Sequence, residues 1–489
     1  MVSVPKQSGD AHWHLENTYM TLPTVFYTPQ VPTLFPKPVL RYFNDTLADS
    51  LGFDRNATTQ SCWAQRLTGM VQPLGSQPIA LAYAGHQYGQ FSQLGDGRAQ
   101  LLGEQVTPAG ERFDLHLKGS GPTAYSRGFD GKGTYRSMVR EAIISEAMHA
   151  LGIPSTRTLA VTTTGERIRR ERWHEGAVLC RVARSHLRVG TFQHAALQDN
   201  PKVLHALLRY AISRHDPTLM QTDQPYALWL RAVADRQARL IAAWQSIGFV
   251  HGVMNTDNMS IAGETIDYGP CAFLDRYDEA AVFSSIDHDG RYAFKQQPYI
   301  ASWNLARLAE AILPVLHEDR SKALAAAQAM LDHFAKTFTE VWQSNMAQKL
   351  GFDDEADNPL PWIETLLAHM QRLKLDYTHT FLTLSRDPFS QDLPVDNGFD
   401  DWRKSWLKAL ETAGVDQATR MKRMQAVNPA RIPRNHLVEQ VLDAMEEADM
   451  APFDALMKAL SKPYDYHDTD ARYEARPDPT YRFVSTCGT

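Results

Sequence analysis

The feature that most restricts the fold of this 489-residue chain is one change of hydrophobic periodicity near residue 200. Before it, apolar residues recur in short, strand-length runs separated by glycine. After it, they recur every three to four residues over long stretches. Ser92 to Glu104 (SQLGDGRAQLLGE) reads as strand, glycine turn, strand. Phe113 to Lys118 alternates strictly, which sets Phe113, Leu115 and Leu117 on one face of a strand and Asp114, His116 and Lys118 on the other. A glycine-rich loop (GSGPTAYSRGFDGKG) follows, then a helix from about Tyr135 to Leu151 that Gly152-Ile153-Pro154 stops. Two more strands are predicted at Thr158 to Thr164 and Ala177 to Arg184. Downstream, Val203 to Arg214, Ala227 to Ile247, Trp303 to Leu316, Lys322 to Lys349 and Trp362 to Leu373 carry helical spacing. Met259-Ile261 and Thr265-Asp267, flanking Ala262-Gly263-Glu264, read as a small hairpin. Before residue 60, Pro-rich extended stretches adjoin a helix predicted over Val39 to Leu51.

A β-rich part with one prominent helix, followed by a helical part, is an α+β arrangement. It is the order of a protein-kinase-like, two-lobed fold, although helical content alone fits many others. On that reading residues 1–78 form an N-terminal extension, 79–184 a β-rich N-lobe and 185–330 a helical C-lobe with a catalytic loop. Residues 331–489 form a helical C-terminal extension and tail. The 43% hydrophobic content, with 10 Trp, 18 Tyr and 20 Phe, is enough for a large core and excludes wholesale disorder. A net charge of −6 gives no global footprint for nucleic acid. The scattered cysteines Cys62, Cys180, Cys271 and Cys487 exclude a disulfide scaffold and a CxxC zinc site. No secretory leader and no membrane span are expected, since the start lacks basic and apolar blocks and no 18-residue apolar run occurs. These features predict a soluble, cytoplasmic monomer.

Several residues carry chemistry. Gly95-Asp96-Gly97-Arg98 sits in a turn, where glycines let backbone amides approach phosphate and Arg98 adds a planar donor fork; a plain turn has the same composition. Lys118 ends its strand on the polar side. Glu141 shares a helical stripe with Ile144, Met148 and Leu151, and a carboxylate on an apolar stripe needs a partner. That partner is either Lys118, which would aim an ammonium at nucleotide phosphates, or a neighbouring Arg140 or Arg136. Arg181, Arg184 and Arg188 fit either a solvated face or an anion clamp. Most specific is His251-Gly-Val-Met-Asn-Thr-Asp257-Asn258, followed by Asp267-Tyr268-Gly269. Kinases use HRDxxxxN and then DFG, with the Asn and the second Asp on the metal and the first Asp receiving the substrate proton. The His-to-Asn offset is kept here, but Val253 stands at the aspartate position, leaving Asp257 as the one carboxylate of the loop.

At these residues the chain resembles the selenoprotein O (SelO/YdiU) family over essentially its full length. The likeness runs through AYAGHQYGQFSQLGDGRAQLLGE, HLKGSGPTAYSRGFDGKGTYRSMVREAIISEAMHALGIP, HGVMNTDNMSI, TIDYGPCAFLD and a Cys third from the end in STCGT. The family looks like a pseudokinase by motif and moves AMP, in some members UMP, onto Ser, Thr or Tyr hydroxyls of proteins, with ATP or UTP as co-substrate and Mg²⁺ or Mn²⁺. The resemblance implies that Gly95, Gly97 and Arg98 contact the nucleotide, joined by Asp130 and Gly131. It implies Lys118 on the phosphates with Glu141 positioning it, and Arg181 and Arg188 on the outer phosphates of a nucleotide flipped relative to a kinase. Asn258 and Asp267 would bind the metal, and Asp257 would accept the proton. Two free thiols are the default for Cys271 and Cys487, but the resemblance implies a redox-labile bridge between them that restrains activity; Cys487, in place of a selenocysteine, fits a bacterial origin. A conventional phosphotransferase and an inactive nucleotide-binding scaffold are the competing classes. The first is opposed by Val253, the second by the intact Lys118, Glu141, Asn258 and Asp267.

Overall fold

The computed structural model describes residues 12–353, 358–467 and 470–485. Among them, one ten-stranded sheet dominates the first half of the chain. Its main path runs Tyr27–Pro29, Ile79–Gln87, Ala99–Val106, Arg112–Lys118, Trp173–Ala183, Arg157–Arg169 and Val39–Phe43, with antiparallel pairing throughout. Strands from before residue 79 therefore belong to the same sheet as those after it. The expected strand, turn and strand are present as Gln90–Gly95 and Ala99–Val106, but the two do not pair as a hairpin: Gln90–Gly95 pairs back on Ile79–Gln87.

The strand Arg112–Lys118 lies in mid-sheet, with Lys118 opposite Ala99 on one side and Leu179 on the other. Alternation then assigns two buried faces rather than one wet and one dry. Leu115 and Leu117 enter a core built with Trp13, Phe53 and Trp63 from the N-terminal segment. Asp114, His116 and Lys118 are equally buried on the opposite face, toward the helices. Trp173–Ala183 obeys the same rule: Val178, Cys180 and Val182 join the first core, while Ala177 and Leu179 join the larger core on the helix side, the side that carries Arg181.

The helix Tyr135–Ala150 is started by Thr134, whose side chain accepts from the Ser137 N–H, and it packs Met138, Ile143, Ile144 and Met148 into the larger core. Pro225–Ile247, the buried helix of the second half, ends at Gly248 in the left-handed region (φ 70°). That turn leads into Phe249–Val250, which pairs with Ala272–Phe273 and brackets residues 251–271 as one loop. The later helices form a separate core around Trp402, Trp406 and Tyr377. Asn435–Glu446 and Ala451–Leu460 return to pack on Tyr135–Ala150. No helix among the described residues is long and apolar enough to cross a membrane.

Three sequence readings change. Val39–Phe43 is a strand pairing with Arg157–Arg169, and helix begins only at Asp45, where Asn44 accepts from the Leu47 N–H. The strands of Arg157–Arg169 and Trp173–Ala183 run longer than the apolar signal, because their polar ends still pair. Met259-Ile261 and Thr265-Asp267 keep a turn at Gly263 but do not form a hairpin: Ser260 bridges to Arg188 and Thr265 to Ser155. Their backbone groups are used to tie neighbouring segments to the loop.

Candidate active site

The helix-facing side of the sheet gathers charge. Lys118 Nζ donates to Glu141 Oε2 at 2.6 Å and to Asp267 Oδ1 at 2.8 Å. Arg181 Nη2 lies 2.5 Å from Glu141 Oε1 and 2.6 Å from Asp267 Oδ1. Glu141 is thus shared between Lys118 and Arg181, which resolves the choice left open by spacing. Arg136 and Arg140 instead pair with Glu439 on the returning C-terminal helix. Burial alone would raise both carboxyls; Arg181 and Lys118 hold Glu141 below its ordinary value, and with Arg188 they hold Asp267 well below it. Asp267 has φ 63°, a left-handed backbone uncommon for a non-glycine residue, and its side chain stays 21% exposed toward the cavity.

The loop between Val250 and Ala272 presents the remaining groups. His251 is buried, stacks on Trp244 and donates from Nε2 to the Ile266 carbonyl at 2.9 Å, pinning the segment before Asp267. Asn258 donates its amide nitrogen to the Val253 carbonyl at 3.1 Å, so its carbonyl oxygen is the end left to act as a ligand. Asp257 lies in the one-turn helix Thr256–Asn258. Its Oδ2 accepts from Gln87 Nε2 at 3.3 Å, while its buried Oδ1 has no hydrogen-bond partner. Burial pushes the Asp257 carboxyl up to about 6, against the pull of Arg188. Arg188 is itself buried, donates from Nη1 to the Asp257 carbonyl at 3.0 Å, approaches Asp267 Oδ2 at 3.5 Å and lies over the Tyr83 ring. Arg184, the third arginine of that run, is exposed.

Lys118, Glu141, Arg181, Arg188, Asp257 and Asp267 line one cavity of about 1160 Å³, and Gly95, Gly97, Arg98, Asp130, Gly131 and Asn258 line it too. A Cβ on Gly95 would stand 2.4 Å from the Tyr125 ring, and one on Gly131 2.2 Å from the Gly121 carbonyl oxygen, so the two loop segments close only with glycine. Thr123 and Ser126 pin the loop by donating to the Asp96 and Gly97 carbonyls. Asp130 is exposed and forked by Arg170 through two 2.9 Å bonds. Cys271 is buried four residues past Asp267, with burial pushing its thiol up to about 11. Cys487 lies outside the described residues.

Sequence reasoning missed several lining groups. Arg167 to His174 read as solvated surface, yet Arg169, Arg170 and His174 reach the cavity and His174 is buried. Gln87 and Tyr83 carry no signal beyond a strand pattern. Glu439 and Phe483, which meet Arg140 from the far end of the chain, could be found only from the fold.

Residues 11–461 match the family model described as "Protein adenylyltransferase SelO". The "Protein nucleotidyltransferase YdiU" of Bacillus cereus (strain ATCC 10987 / NRS 248) is 47% identical over 488 residues, covering 99% of this chain and 100% of the relative. That of Bacillus mycoides (strain KBAB4) is 48% identical over 485 residues, covering 98% and 99%. That of Geobacillus kaustophilus (strain HTA426) is 48% identical over 483 residues, covering 98% and 100%.

Proposed function

The chain belongs to the SelO family of protein adenylyltransferases, and on that premise we propose that it transfers AMP from ATP, or UMP from UTP, to Ser, Thr or Tyr hydroxyls of proteins, itself included, releasing pyrophosphate. The observation that carries this reading is the contrast between two carboxylates lining one cavity. Lys118, Arg181 and Arg188 crowd around Asp267, while Asp257, whose backbone carbonyl Arg188 holds, keeps a carboxylate oxygen with no hydrogen-bond partner. Outer phosphates drawn to the three cations place the α-phosphorus toward Asp257, flipped relative to a kinase. The hydroxyl oxygen then bonds to the α-phosphorus, the bond from that phosphorus to the leaving pyrophosphate breaks, and the hydroxyl proton passes to the Asp257 carboxylate. A carboxyl near 6 is ionised at neutral pH and basic enough to take that proton. Val253, where a kinase has its base, cannot. Gly95, Gly97, Arg98, Asp130 and Gly131 cover the nucleotide, and Glu141 keeps Lys118 in place.

The donor set suits Mg²⁺ or Mn²⁺: an amide carbonyl from Asn258 and a carboxylate from Asp267 are hard oxygen ligands. Among the described residues no group of three His, Cys, Asp or Glu could hold a metal alone, so phosphate oxygens and water would complete the shell. When bound, the ion supplies neutralisation of charge developing on the phosphates. Phosphates arriving at Lys118 and Arg181 would replace Asp267 as their counter-anion and release it for that ligation. In the same reading Cys271 and Cys487 form a redox pair that restrains the enzyme. Reductant is expected to raise activity, and an undiminished response in Cys487→Ala removes the pair from the account.

Labelled nucleotide tests the reaction. Protein labelled from α-³²P-ATP and not from γ-³²P-ATP is expected. Label from the γ-position alone means a phosphotransferase, and label from neither means a binding scaffold.

A further inference from the structure

Behind the cavity wall two buried histidines lie face to face, with ring centroids 4.1 Å apart and planes 25° from parallel. His116 stands two residues before Lys118 on the same face of its strand, and His186 two residues before Arg188 on the loop after Trp173–Ala183. Each imidazole is fixed by its own buried aspartate. His116 Nε2 donates to Asp96 Oδ2 at 2.9 Å. His186 donates to Asp114 Oδ2 twice, from the backbone N–H at 2.8 Å and from Nδ1 at 3.0 Å. Asp96 Oδ2 also accepts from the Leu81 N–H at 3.2 Å, which leaves Oδ1 turned to Arg188 Nη2 at 3.7 Å. A chain of contacts therefore closes on Arg188 from two sides: through its own loop, by way of His186 and Asp114, and through space, by way of His116 and Asp96.

From this closed set of contacts we infer that His116 and Asp96 are positioning residues for nucleotide binding, setting the Arg188 guanidinium toward the phosphates while His186 fixes the loop that carries it. The inference rests on the reading of Arg188 as a phosphate clamp. Asp96 and His116 both reach the cavity wall, but they act through Arg188 and hold no reacting atom. A buried carboxylate that lost the His116 donor would be held on Oδ2 by the Leu81 N–H alone, and a guanidinium with a less firmly fixed neighbour would bind an anion less tightly.

The test is a double-mutant cycle on affinity for Mg²⁺–ATP, measured by calorimetry. His116→Phe keeps a ring on His186 and removes the donor; it is expected to weaken ATP binding about tenfold, the size of a hydrogen bond to a charged group. His116→Gln, which retains an N–H, is expected to recover most of that loss. Arg188→Lys alone should weaken binding at least as much, and His116→Phe should then add little in the Arg188→Lys background. If both single variants weaken binding and their effects multiply, or His116→Phe binds ATP normally while Arg188→Lys does not, the positioning role falls and the clamp stands. If Arg188→Lys binds ATP normally, clamp and inference fall together. Asp96→Asn, which keeps the side-chain shape, carries the same cycle if the Phe variant does not fold.

Discussion

Lys118 and Lys349 are both buried, 7% and 3% exposed, and they show what burial does to an ammonium in two different settings. Lys118 sits between the Glu141 and Asp267 carboxylates, with Arg181 sharing both. Lys349 ends the helix Arg320–Lys349 in the later core, where its Nζ donates to Asn428 Oδ1 at 2.7 Å and lies 4.0 Å from the Phe381 ring centroid. Among the described residues no carboxylate pairs with it, and burial pushes its amine down to about 7. The first lysine is embedded in compensated charge that an incoming polyanion can redistribute. The second is held by a neutral amide and aromatic faces, and its burial costs stability without preparing a site.

The largest effect that would sharpen this contrast is on the shared anion. Asp267→Ala removes the carboxylate common to three cations and is expected to lower nucleotidyl transfer by at least about a thousand-fold. Circular dichroism should show the fold retained; activity near that of the wild type would end the assignment. Lys118→Met comes next, with an expected loss of about a hundred-fold or more in kcat/KM for ATP. It should also lower Tm, because Glu141 and Asp267 lose a buried partner. A Lys118→Met protein that transfers AMP normally would make Lys118 a structural cation.

Asp257 stands between these cases, a buried acid with one oxygen unpaired. Asp257→Asn is expected to reduce kcat about a hundred- to ten-thousand-fold while ATP affinity changes little. The wild-type rate should fall as pH drops through about 6, the value to which burial pushes this carboxyl, because the protonated acid cannot accept the hydroxyl proton. A pH–rate profile without an acid limb between 5 and 7 would place the base elsewhere.

The sequence revealed this contrast unevenly, for physical reasons. Strict alternation in Phe113 to Lys118 and the stripe through Glu141 located both members of the Lys–Glu pair, since each depends only on local periodicity. What alternation could not report was that the polar face is buried too, because that depends on the helices packed against it. The competing partners Arg136 and Arg140 were indistinguishable by spacing, and they are occupied by Glu439, 303 positions beyond Arg136. The Asp96–His116 and His186–Asp114 pairs were invisible for the same reason: their members come from the turn, the strand Arg112–Lys118 and the loop after Trp173–Ala183. Lys349 read simply as the last residue of a helix, where a basic side chain is unexceptional.

The smallest effect tests the other half of the comparison. Lys349→Met substitutes an apolar chain of similar length into a site with no counter-charge, and it is expected to leave nucleotidyl transfer unchanged. The folded amine titrates near 7 and an unfolded lysine near 10.4, so between these values the unfolded chain binds the extra proton. Folding stability from this group therefore rises as pH increases from about 7 to about 10. Its cost of about 5 kcal/mol is fully present below pH 7 and fades toward pH 10. The bond to Asn428 offsets part of that cost, and Lys349→Met forfeits it. Thermal melts should accordingly show the variant more stable than the wild type by a few degrees at pH 6–7, with the two curves converging toward pH 10. A variant that melts below the wild type at pH 7 would show the amide and aromatic contacts to be worth more than the buried charge costs, and the two lysines would then differ in function but not in energetic sign.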